Sequence, residues 1–186
     1  MSNSIHSSHH RRANTGTAVL KRLVLGAMMA AMSVGIGLLC KNFLNFGGGL
    51  FRITFENLPI ILAGIFLGPL TGGLVGVVSD LTSYLLSGQI YPPNLIVTLG
   101  ACAVGIVSGL MAKYAVRSRG TKQIILSASA AHLIGSMIIK PIGLFQFYGW
   151  AVLVRIPLYM IIAPLEISLL CILWNQKSFR RLFERL

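Results

Sequence analysis

The sequence predicts an all-α integral membrane protein with six transmembrane helices and both termini in the cytoplasm. Three observations predict it. First, 55% of the 186 residues are hydrophobic and 11% are charged, against about a quarter charged in an average soluble domain. Second, the apolar residues gather into runs near the roughly 20 residues that a helix needs to cross a hydrocarbon core about 30 Å thick. Third, twelve of the 16 Lys and Arg fall into three clusters. These are Arg11, Arg12, Lys21 and Arg22; Lys113, Arg117, Arg119 and Lys122; and Lys177, Arg180, Arg181 and Arg185. Cytoplasmic loops are enriched in Lys and Arg, so the clusters share one side and an even number of crossings separates them.

Residues 1–18 are read as a flexible basic tail, 19–175 as the membrane domain and 176–186 as a second basic tail on the cytoplasmic side. His6, His9 and His10 belong to the first tail and are read as disordered polar residues rather than metal ligands. The first span covers 19–40 and is too long for a signal-peptide core of about 7–15 residues. Gly47, Gly48 and Gly49 follow, a run that cannot hold a helix and marks an outer loop. Residues 53–86 are then almost continuously apolar. A single helix of that length would reach about 50 Å, and Gly68-Pro69 near the middle breaks it. One span here would put the cluster at 113–122 outside, so two short spans are expected, 54–68 and 70–87, tilted or partly re-entrant. The outer loop 87–94 contains Pro92 and Pro93, which exclude helix. Further spans are expected at 95–115, at 124–139 ending on Lys140-Pro141, and at 151–174. An aromatic outer stretch holding Phe145, Phe147, Tyr148 and Trp150 lies between the last two. No internal repeat is evident, which argues against an inverted-repeat carrier.

The formal charge of +12 does not point to nucleic acid, because most of it is juxtamembrane, where orientation and anionic lipid account for it. Cys40, Cys102 and Cys171 are odd in number, lie in apolar runs and form no CxxC, so neither a disulfide framework nor a metal site is expected. No P-loop, HExxH or GxSxG occurs. His132 has no sequence partner for a triad. The chain is therefore expected to be no enzyme and to need no cofactor.

Candidate functional residues come from three places. Ala27 and Ala31 are spaced small-xxx-small on the first span, which permits close approach by another helix, of this chain or of a partner. Asp80 and Glu166 lie inside apolar segments, where ionisable groups are costly and mark either function or a structural pair. Lys41, Arg52, Lys140 and Arg155 fall on the outer side, with Phe46, Phe51, Tyr91, Asn94, Tyr148 and Trp150 at the same level. Guanidinium groups grip carboxylates and aromatic rings stack on flat ligands; the alternative for the aromatics is an interfacial belt. Glu56 follows Arg52 by four residues, and on a helix the two would share a face as an ion pair.

The stretch RITFENLPIILAGIFLGPLTGGLVGVVSDLTSYLL, with Leu58-Pro59, Ala63-Gly64, Gly68-Pro69, Gly76 and Asp80, resembles the vitamin-binding S-components of energy-coupling factor (ECF) transporters. The Ala27/Ala31 spacing is similar to the alanine motif by which S-components dock on their transmembrane coupling subunit. RIPLYMIIAPLE, from Arg155 to Glu166, looks like the last helix of the folate-family members. The resemblance implies six helices, outer-face capture of folate or a related pterin under the first and third loops, and assembly with the coupling subunit and two cytoplasmic ATPases in a bacterial cell membrane. Another vitamin (thiamine, riboflavin, pantothenate or biotin) is the alternative ligand. A stand-alone membrane carrier or a membrane enzyme is the alternative class.

Overall fold

In a computed structural model, residues 3–46, 51–87, 93–115 and 120–176 are described. The triple glycine, Tyr91, Arg117 and Arg119 of the 113–122 cluster, and the last ten residues lie outside them. The chain forms α1 (Asn3–Phe43), a two-stranded hairpin of β1 (Asn45–Phe46) and β2 (Phe51–Arg52), α2 (Asn57–Leu67), α3 (Pro69–Leu86), α4 (Leu95–Leu110), α5 (Thr121–Ala131), α6 (Lys140–Tyr148) and α7 (Arg155–Asn175). Asn45 pairs with Arg52 and Phe46 with Phe51. This small antiparallel ladder is the one departure from all-α among the described residues.

Among the described residues, four helical stretches are long and apolar enough to cross a membrane: Val19–Phe43, Leu95–Tyr114, Thr121–Leu153 and Ile156–Asn175. Three boundaries differ from the sequence expectation. Residues 3–18, expected as a flexible tail, continue α1 as helix, because extending an existing helix is far easier than nucleating one. The span expected to stop at Lys140-Pro141 runs on through Tyr148. Between α5 and α6, His132–Ile139 is a π-helix, and the Lys140 N–H bonds back to Gly135 O, five residues earlier. Pro141 then sits in the first turn of α6, where a missing N–H leaves no bond unmade. Finally, residues 53–56 are not helical. Arg52 and Glu56 therefore share no helix face, and the expected ion pair by helical spacing does not apply.

Gly68 and Pro69 divide the long apolar run as expected. The Gly68 N–H bonds to Gly64 O and closes α2, while Pro69 opens α3. Gly68 has φ 102° and ψ 167°, a region open essentially to glycine alone. α2 has 11 residues, about 16 Å at 1.5 Å per residue, half of a hydrocarbon core. Nine of those 11 are buried, among them Ile60, Ile61, Leu62 and Ala63, so α2 is enclosed by protein. It packs with α3 and α4 through glycine: a Cβ on Gly72 would run into the backbone of Gly64, and one on Gly105 into the backbone of Gly72 and Gly73. The core at the end opposite the hairpin joins Ile124, Ala128 and Leu170 to α2, with Phe66 stacked on Trp174 at 5.4 Å.

Gly68→Ala is expected to cost about 1–3 kcal/mol, read as a lowered thermal midpoint in detergent, although nothing lies within 4 Å of its added Cβ. Gly105→Leu should cost more, because two backbones must separate. An unchanged midpoint for Gly68→Ala would show that the turn stores no strain.

Candidate functional site

A polar cluster lies in the hairpin half of the bundle. Its foundation is the start of α2. The Ser33 hydroxyl on α1 donates to Glu56 O at 2.7 Å, tying the entry of α2 to α1. Asn57, fully buried, comes next in the chain. Its Nδ2 donates to Ser136 Oγ at 3.4 Å and its Oδ1 accepts from Lys140 Nζ at 3.0 Å. Lys140 is also 3.6 Å from Glu56 Oε1. A buried ammonium in an apolar bundle requires such partners. Gly100 leaves room for its stem: a Cβ there would sit 2.7 Å from Lys140 Cγ.

α3 and α4 complete the cluster. Ser79, Asp80 and Ser83 occupy the last two turns of α3, so that Ser79 and Ser83 share a face. Thr98 on α4 donates to Asp80 Oδ2 at 2.7 Å. Lys41, near the end of α1, donates to Ser83 O and Ser83 Oγ, each at 3.1 Å, and to Ser87 Oγ at 2.9 Å. Ser33, Glu56, Ile60, Ser79, Asp80, Ser83, Ala101 and Lys140 enclose a cavity with about 220 Å³ of empty space that opens to solvent. The arrangement can bind a polar group by hydrogen bonds in a low-dielectric setting. It holds no nucleophile–base pair, and among the described residues no group of three His, Cys, Asp or Glu could ligate a metal.

The sequence candidates distribute unevenly around this cavity. Asp80 and Lys140 line it. Asn94 caps α4: its Oδ1 accepts from the Ile96 N–H at 3.0 Å and its Nδ2 donates to Gly143 O at 2.6 Å. Trp150 is exposed and meets Phe145 edge-on at 5.6 Å; Tyr148, half-buried, ends α6. The backbones of Phe46, Phe51 and Arg52 form the hairpin, and Arg155 opens α7. Ser33, Asn57, Ser79, Ser83 and Thr98 were not singled out from sequence, whereas Lys41 was, as an outer cation. Serines four apart flanking Asp80, and two polar residues opening an apolar run, were the available signals.

Two other expectations take definite form. Ala27 and Ala31 are both exposed on α1, so this face does not pack within the chain. Glu166 is fully buried against His132, Oε2 to Nε2 at 2.9 Å. The sole histidine beyond the N-terminal segment thus has a carboxylate partner, from a helix 34 positions away in sequence. The pair is buried and outside the cavity lining, which favours the structural role for Glu166.

Residues 21–181 match the family described as ECF transporter, substrate-specific component. The chain belongs to that family. It is thus a multi-pass membrane protein and a substrate-binding part of a transporter rather than an enzyme. No curated protein matches the chain by sequence. Seven solved chains resemble it in structure. One is the crystal structure of FolT bound with folic acid, with a TM-score of 0.64 and 23% identity over 83% of this chain and 93% of that one. That likeness shows a shared fold.

Glu166→Ala should lower stability by about 3–5 kcal/mol by stranding His132 in an apolar site, while replacing both residues by Leu should recover most of the loss. Thermal unfolding of the two single and the double variants checks this. Additive losses would show that the two side chains do not act as a pair.

Proposed function

We propose that this S-component captures folate or a related pterin at the outer face of a bacterial cell membrane and delivers it through an ECF-type importer. The observation that carries this reading is the polar cavity at the hairpin end of an otherwise apolar bundle. Its wall is formed by residues of α1, α2, α3, α4 and α6. Residues 19–175 form the membrane domain, with residues 1–18 and 176–186 on the cytoplasmic side. Six crossings follow if the non-helical leg 53–56 and α2 cross together. The three residues 53–55 before the turn at Glu56 add at most about 10 Å to the helix's 16 Å, approaching a hydrocarbon core of about 30 Å. Irregular backbone at that depth is tolerated where protein encloses it, and Thr54 is 3% exposed.

In this arrangement Arg52 and Arg155 meet the carboxylates of the ligand at the hairpin end, where Phe46, Phe51, Tyr91, Tyr148 and Trp150 supply stacking surface. Lys140 acts from within the cavity wall and Asn94 by holding the start of α4. The exposed Ala27/Ala31 face of α1 docks on the transmembrane coupling subunit, and two partner ATPases drive release inward. A different vitamin would change the ligand and leave this division of labour intact. A stand-alone carrier would instead transport in liposomes without any ATPase.

Equilibrium titration of the purified protein, read by quenching of exposed Trp150, should rank folate or pterin above thiamine, riboflavin, pantothenate and biotin. No binding tighter than about 1 mM for any of them would sink the proposal. Changing Ala27 and Ala31 to Trp should abolish uptake by the reconstituted transporter and leave binding unchanged. Lost binding would mean that the face is not a separate docking surface.

A further inference from the structure

We propose that the polar cavity is a built site for one ordered water molecule, held by Ser79, Asp80 and Ser83 of α3. The proposal concerns the protein without its cargo and stands whichever ligand the protein carries.

The size of the space sets the class of occupant. The cavity's 220 Å³ counts its open mouth, and the room inside is that of about one water-sized sphere, the least space that holds a buried water. The mouth gives solvent a way in. Charge narrows the choice further. Lys140 lines the wall together with Glu56 and Asp80, and Lys41 bonds to Ser83 from α1. Two ammonium groups thus stand against two carboxylates. An added cation would meet the first pair and an added anion the second, whereas water brings a dipole and no net charge.

The wall also offers the hydrogen bonds that a buried water needs, about three. Ser79 is 3% exposed, and among the described residues its Oγ has no partner. Asp80 takes the Thr98 hydroxyl on Oδ2, and a carboxylate has about four acceptor sites, so Oδ1 can accept. Ser83 Oγ accepts from Lys41, which leaves its own O–H to donate. Ser79 and Ser83 are four apart on a helix and share a face, so both hydroxyls can reach one point in the cavity. A water there accepts from the two serines and donates one proton to Asp80, with its second proton turned towards the mouth. Each bond joins a donor to an acceptor. A buried hydroxyl with no bond costs free energy, and an ordered water removes that cost for little lost entropy.

The test reads a change of sign. If the Ser79 hydroxyl bonds to nothing, Ser79→Ala should leave the thermal midpoint in detergent unchanged or raise it. If a water is bound there, the same change strips one of its bonds and the midpoint should fall, by about 2–4 °C; the fall is the expected result. A crystal structure resolved well enough to show ordered waters should carry one within about 2.5–3.0 Å of both Ser79 Oγ and Asp80 Oδ1. Exchanging sodium for choline at fixed ionic strength should leave the wild-type midpoint where it is. A midpoint that holds or rises in Ser79→Ala, or no ordered density between those two atoms, overturns the water site. A midpoint that drops in choline overturns it in favour of a small cation.

Discussion

The ammonium of Lys140 must find oxygen partners inside an apolar bundle, and much of the hairpin half is arranged around that need. The ammonium lies against Glu56 and Asn57, the two residues that open α2. Ser33 holds the Glu56 carbonyl and Ser136 accepts from Asn57. Four helical stretches are thereby tied at one level. A charge that could not be desolvated without partners brings together residues that hydrophobic packing, being non-directional, would leave unspecified. The cavity is the space left beside this network.

Glycine makes that network geometrically possible. α2, α3 and α4 approach until their backbones touch, through Gly72 and Gly105 and again where Gly76 meets Ala101. Membrane helices gain little from apolar burial alone, because lipid is as apolar as the partner helix, and close backbone packing takes its place. The short α2 benefits most. It is too short to satisfy a bilayer by itself, and enclosure by its neighbours removes the requirement.

The structure also divides polar groups by depth. The serines, Asp80, Glu56 and Lys140 line a solvent-open cavity, whereas His132 and Glu166 face each other in a closed interior. A ligand can reach the first set and not the second. Residues of similar chemistry are thus open to a ligand in one place and closed off in the other, with burial deciding between the two.

Properties set by local composition were legible in the amino-acid order. Apolar runs and clustered Lys and Arg identify a membrane domain, Gly68-Pro69 marks the α2–α3 turn because no other residue pair suits it as well, and Ala27/Ala31 marks an exposed small-residue face. What a polar residue touches was not legible. Lys140 and Asn57 stand 83 positions apart and His132 and Glu166 lie on different helices, so their pairing depends on how the helices pack. The spacing of Arg52 and Glu56 suggested a local pair, yet Glu56 pairs with Lys140, and the chain before α2 is not helical. Hydropathy and charge act through each residue's own solvation and so can be read in one dimension; buried hydrogen bonds act between residues and exist only once the helices have packed.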